Sequence, residues 1–156
     1  MTYQVTLTEL ASTVTCHQRV RTAAAEIAGT VGRGLEELYE FATASSVTPA
    51  GPPQLAYPGP LTDGEFELDL YLPISGMPEA RGPVDVVVLP PGPVAQTFHR
   101  GRYDTIPAAY EAVFAWIHEH GLHQAGPPRE LYLTGPDSAT SADDYLTEVV
   151  VPLRRD

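Results

Sequence analysis

Lysine is absent from this 156-residue chain, whose nine basic side chains are all arginine. Schiff-base catalysis and a phosphate-loop lysine are thereby excluded. Cysteine is nearly absent too: Cys16 stands alone, so no intramolecular disulfide can form. Long apolar runs are missing. The fullest, Val86-Val87-Val88-Leu89, falls far short of the about 20 residues that span a bilayer. The opening ten residues have neither the charged start nor the apolar core of a signal peptide, so the expectation is a cytoplasmic protein with no membrane association. Positive charge is scarce as well, with 9 basic against 20 acidic residues and a formal net charge of −11. That argues against direct nucleic-acid binding, which depends on cationic side chains displacing counterions from phosphates.

Several catalytic signatures are also missing. No Gly-x-Ser-x-Gly elbow occurs. Gly29-Thr30-Val31-Gly32-Arg33-Gly34 has its glycines in the wrong order for a phosphate loop. His118-Glu119-His120-Gly121-Leu122-His123 resembles a zinc motif, but the position four residues after His118 is Leu122, whereas two ligands on one helix face need histidine there. Neither a metal nor an organic cofactor is expected.

What is present is repetition. Both halves open with a β-like run, residues 4–10 and 84–89, followed by a second at 14–19 and 94–99. Helical segments are expected over residues 23–44 and 105–120. Each is followed by the same tetrapeptide, Ala50-Gly51-Pro52-Pro53 and Ala125-Gly126-Pro127-Pro128, where proline must end the helix and restart extended chain. Short strands at 55–57 and 131–133, surface loops at 57–60 and 135–144, and closing strands at 66–73 and 145–152 complete the parallel. The spacing predicts two β-β-α-β-β modules, about 1–74 and 84–156, with residues 75–83 as connector.

Alternation assigns the closing strands their faces. Phe66, Leu68, Leu70 and Leu72 form one apolar face for the first helix, leaving Glu67, Asp69 and Tyr71 opposite. By the same reading Tyr145, Thr147, Val149 and Val151 lie under the second helix, and Glu148 faces away between Leu146 and Val150. A carboxylate between apolar neighbours is costly to enclose unpaired, so it marks a place for something cationic. In the second helix Ile106, Tyr110, Val113, Phe114 and Ile117 form the core stripe, with Trp116 at its edge.

The second half carries Phe98-His99-Arg100-Gly101-Arg102-Tyr103, Ala109-Tyr110, Phe114, Trp116, Glu119-His120-Gly121-Leu122, Gly126-Pro127-Pro128 and Leu146-Thr147-Glu148-Val149-Val150-Val151-Pro152-Leu153. This ordered set resembles the GyrI-like small-molecule-binding domain, the effector-binding domain of bacterial transcription activators and of DNA gyrase inhibitory proteins. The resemblance implies an α+β fold of tandem duplicated βαββ-type (SHS2-like) modules with pseudo-two-fold symmetry and a ligand cleft between them. It also implies capture of lipophilic, mainly cationic drugs by a glutamate on the last strand, a position matched here by Glu148. The aromatic candidates are Tyr110, Trp116 and Tyr132, with Tyr132, on the strand face of Glu130 rather than that of Leu131 and Leu133, expected to turn into the cleft; Phe98 and Tyr71 follow, and Leu146 and Val150 supply apolar lining. Asp69, the first-module counterpart of Glu148, reads as a solvated carboxylate.

The leading expectation is therefore a stand-alone multidrug-binding protein rather than an enzyme. The rival within the resemblance is a hydrolase that opens the cyclopropane rings of DNA-alkylating natural products, with Glu148 and Tyr110 as its acid–base pair. A gyrase-binding inhibitor is a third possibility, and the resemblance implies a transcription regulator or gyrase as a possible protein partner.

Overall fold

Strong alternation in the closing strands and two amphipathic helical stretches dictate an α+β arrangement. The computed structural model describes residues 2–59, 63–136 and 139–155. In chain order it contains β1 (Thr6–Leu10), β2 (Thr13–Thr22), α1 (Ile27–Ala44), β3 (Gln54–Ala56), β4 (Phe66–Pro73), β5 (Asp85–Leu89), β6 (Gly92–Arg100), α2 (Pro107–Glu119), β7 (Arg129–Thr134) and β8 (Leu146–Pro152). Single 3-10 turns lie at Ala24–Glu26, Tyr103–Thr105 and Ala142–Asp144. Residues 60–62, 137 and 138, which include parts of the two expected loops, lie outside the described residues.

The chain divides into two units, and the division differs from the one read in the sequence. One unit is continuous, Ser12–Pro90; the other is split, Met1–Ala11 with Pro91–Asp156. In the continuous unit β5 pairs with β2, β2 with β4 and β4 with β3, all antiparallel. In the split unit β1 pairs with β6, β6 with β8 and β8 with β7, again antiparallel. Each opening strand thus pairs outside its own sequence half. The reason lies in the links. Only two residues, Ala11-Ser12 and Pro90-Pro91, separate β1 from β2 and β5 from β6; a tight hairpin of that length requires positive φ, which Pro90-Pro91 cannot adopt and which Ala11-Ser12, with neither glycine nor asparagine, disfavours. The chain runs on instead of folding back.

In the continuous unit α1 covers β2 and β4. Leu38 from the helix and Leu68, Leu70 and Leu72 from β4 are fully buried, each contributing about 1.5–3 kcal/mol. Gly34 makes this approach possible, because a Cβ there would collide with the Leu70 side chain. The split unit packs Ile106, Ala109, Val113 and Ile117 against Ala95, Val149, Val151 and Leu153. Phe114, expected in the stripe, is exposed, and the smaller Ala109 takes the place against the sheet. Gly121, at φ 65, ends α2 with Leu122 N–H donating to the Ile117 carbonyl, a glycine-terminated cap.

Candidate functional site

Residues paired across an antiparallel sheet share a face, so the register sorts the candidates of the split unit. His99, Thr147 and Tyr132 form one row, and Thr97, Val149 and Glu130 the next. Val149 lies in the core under α2, so these rows look toward the helix. On the other face Phe98, Glu148 and Leu131 form a row, flanked by Arg100 with Leu146 and by Gln96, Val150 and Arg129. Tyr132 therefore faces away from Glu148, although the two are candidates for one ligand site.

The tyrosines converge on a different carboxylate. Tyr110 OH donates to Glu130 Oε2 at 2.7 Å, and Tyr132 OH donates to Glu130 Oε1 at 2.9 Å. The rings continue on both sides. Tyr132 meets Tyr103 edge-on at 5.6 Å between centroids, and Tyr103 stacks on Tyr145 at 4.9 Å. Tyr110 lies parallel to Phe114 at 6.4 Å. Glu130 is only 6% exposed, while Phe114 and Tyr103 are 37% and 38% exposed. A run of five aromatic rings thus passes a buried acid, two of them bonded to it, and includes the partly exposed Phe114 and Tyr103. Burial pushes the Glu130 carboxyl above its ordinary value, against the two tyrosine hydrogen bonds and the nearby His99, which pull it down. No basic side chain forms an ion pair with it among the described residues. The sequence places Glu130 and Tyr132 on one strand face through their i, i+2 spacing, but does not single out Glu130 as a site residue, because the approach of Tyr110 from α2 is not local.

Glu148 is half-buried and stands without a hydrogen bond or ion pair among the described residues, and burial pushes its carboxyl up. Phe98 and Leu131 lie across the strands from it and Leu146 and the fully buried Val150 along its own, while Arg100, Gln96 and Arg129 stand in the flanking rows. Arg100, Arg102 and Arg129 form no ion pair with it.

The remaining candidates lie apart. Trp116 packs at the edge of the α2 core and stacks on His120 at 4.1 Å. Tyr71 belongs to the continuous unit, against His17 at 4.9 Å. Asp69 is not solvated but buried, because Arg19 grips both its oxygens at 2.8 and 2.9 Å and His17 Nε2 lies 2.8 Å from Oδ1. Burial alone would raise the Asp69 carboxyl; the hydrogen bonds from Arg19 and His17 and their charge hold it below its ordinary value. His17 Nδ1 also meets Asp85 at 2.7 Å. Cys16 is buried and its thiol is pushed up to about 11, which removes thiolate chemistry at neutral pH. No cluster suited to a metal ion occurs among the described residues.

Antiparallel α+β units, one of which holds a buried acid bonded to two of a run of aromatic rings, suit a small ligand-binding domain. The chain belongs to the GyrI-like small molecule binding domain family, which it matches over residues 13–154. It resembles EcmrR in the cryo-EM structure of the EcmrR–DNA complex in EcmrR-RPo, with a TM-score of 0.87 at 18% identity over 99% of this chain. It spans 58% of that EcmrR chain. The crystal structure of the EcmrR C-terminal domain matches end to end, at TM-score 0.84, 18% identity and 100% of both chains. A hydrolase encoded by lin2189 from Listeria innocua gives 0.75 at 12% identity, over 97% of this chain and 92% of its own. SAV2435 bound to tetraphenylphosphonium gives 0.64 at 22% identity, over 99% and 94%. Comparison with curated protein sequences returns no match. No helix is long and apolar enough to cross a membrane among the described residues.

Proposed function

We propose that the protein binds lipophilic organic cations and that the ligand seats in the aromatic run beside Glu130. The observation that carries this reading is a buried carboxylate with two tyrosine hydroxyls and no basic counter-ion. A cation supplies the missing charge, and each ring face adds about 0.5–2 kcal/mol of cation–π attraction. The tetraphenylphosphonium bound to SAV2435 is a ligand of this chemical kind. Glu148, with Phe98, Leu146 and Val150, is a second acidic position on the other sheet face and contributes through longer-range charge.

Titrating tetraphenylphosphonium against the fluorescence of Trp116, the sole tryptophan, tests this. Glu130→Gln weakens binding by about tenfold or more, equivalent to at least about 1.4 kcal/mol, and Glu148→Gln weakens it less. Unchanged affinity in Glu130→Gln overturns the placement, and unchanged affinity in the double variant overturns cation binding as a carboxylate-driven event. A neutral aromatic of similar size serves as the control and binds all variants alike.

A second reading rests on the 2.7 Å contact between Tyr110 OH and Glu130. A carboxyl raised by burial and bonded to a phenol can activate water, as the cyclopropane ring-opening hydrolase reading requires, with Glu130 in the role first assigned to Glu148. Incubation with a cyclopropane-bearing alkylator would then give a water-addition product that Glu130→Gln abolishes; no product from the wild type ends this reading.

A further inference from the structure

We infer that Thr147 reads a hydrogen-bonding group on the bound molecule, so that the preferred ligand is a lipophilic cation bearing a hydroxyl or carbonyl rather than a purely hydrocarbon one. This rests on the aromatic run being the ligand site.

Thr147 is 0% exposed, and its Oγ1 is the one buried side-chain polar atom without a hydrogen-bond partner among the described residues. Other buried threonines are satisfied. Thr15 Oγ1 donates to the Val87 carbonyl at 2.8 Å, Thr97 Oγ1 to the Gln4 carbonyl at 2.9 Å, and Thr22 Oγ1 bonds Thr30 Oγ1 at 2.9 Å. The neighbours of Thr147 are already committed. His99 Nδ1 meets Tyr3 OH at 2.7 Å, and its Nε2 lies 2.9 Å from Thr105 Oγ1 and 3.0 Å from the Arg102 carbonyl. Tyr132 OH is spent on Glu130.

The fold does not ask for this hydroxyl. The next residues of β8 on the same face, Val149 and Val151, are valines in the core, and valine has the shape of threonine without the polar atom. A buried hydroxyl left unpaired weakens the fold, so its presence in the row between His99 and Tyr132, one row from Glu130, points to a partner that arrives with the ligand. The hydroxyl both donates and accepts, which suits a phenol or alcohol as well as a carbonyl. Discrimination by such a group is stronger than by apolar fit, because the wrong ligand leaves the site's own polar atom unpaired.

The test compares tetraphenylphosphonium with (4-hydroxyphenyl)triphenylphosphonium, which differ by one hydroxyl. The wild type binds the hydroxylated cation about five- to tenfold more tightly, the size of one neutral hydrogen bond. Thr147→Val erases that preference, leaves tetraphenylphosphonium binding unchanged, and raises the Tm of the free protein. Thr147→Ser keeps the preference. Equal binding of the two cations by the wild type, or a preference that survives in Thr147→Val, overturns the assignment while leaving the aromatic site intact. If neither cation binds the wild type, the aromatic site itself is refuted and this inference falls with it.

Discussion

Asp69 and Glu148 occupy matching places in the sheets of their units, and only one is neutralised. Asp69 on β4 lies across from Arg19 on β2, which grips it with two hydrogen bonds. Glu148 on β8 lies across from Phe98 on β6 and Leu131 on β7, and neither can balance its charge. Replacing the arginine of one pair by the phenylalanine of the other turns a structural ion pair into an acid with no counter-ion.

Removing the neutralising side chain exposes this difference. Arg19→Met is expected to cost about 1–3 kcal/mol at neutral pH, since it leaves a buried carboxylate with one hydrogen-bonding partner fewer. The folded Asp69 carboxyl lies below its unfolded value of about 3.9, so its contribution is present above that pH and is lost as pH falls through the folded pKa. Urea unfolding from pH 7 to pH 2.5 should show the gap between wild type and variant close on the acid side.

Glu148 has the opposite sign. Its folded pKa is raised, so its stabilising contribution is complete below the ordinary carboxylate range and is lost as pH rises through the folded value. Glu148→Gln does not ionise. Its Tm should exceed that of the wild type at pH 7, with the gap shrinking toward pH 4. A constant gap across that range would exclude an ionisation effect.

Glu130 couples two tyrosines through its two oxygens. Tyr110→Phe and Tyr132→Phe each remove one hydrogen bond to a charged acceptor and should each destabilise by about 1.5–3 kcal/mol. Because both act on one carboxylate, the double variant is expected to depart from additivity by about 0.5 kcal/mol or more. Denaturant midpoints of the four proteins measure this coupling; strict additivity would show the two bonds to be independent.

The helix ends offer a test free of any ligand. After α1, Ser46 has φ 59, and Val47 N–H donates to the Ala42 carbonyl, the geometry that Gly121 provides after α2. A non-glycine residue there carries a left-handed penalty of about 1–2 kcal/mol. Ser46→Gly should recover roughly 1 kcal/mol, read as a higher denaturant midpoint with unchanged slope, whereas a lower midpoint would refute the strain.

Much of this fold is legible in the residues. Alternation in Phe66-Glu67-Leu68-Asp69-Leu70-Tyr71-Leu72-Pro73 specifies β4 to the residue, and the α2 expectation of 105–120 brackets Pro107–Glu119. The α1 expectation runs early because Ala24–Glu26 winds as a 3-10 turn before the α-helix begins at Ile27. Periodicity is local, and so are these successes. Strand exchange is not local: Pro90-Pro91 bars a tight β5–β6 hairpin, but no local property names β2 as the partner taken instead. The site shows the same divide. The apolar flanks of Glu148 follow from alternation within one strand, but the face of Tyr132 depends on its register against Thr147, which no property of residues 129–134 declares. Asp69 reads as solvated until Arg19 is brought across from β2.

The pairing of β1 with β6 sets an order on folding. Ser12–Pro90 holds every strand it needs in one stretch and can complete itself while the rest of the chain is still being synthesised. The split unit cannot, because its edge strand is made first and must wait for β6 and β8 at the far end of the chain. Such sequence-distant pairing is slow, and until β1 docks, the flank of β6 is an open strand edge of the kind that recruits other chains. The aromatic run therefore matures last, in the half of the molecule whose completion depends on the first eleven residues.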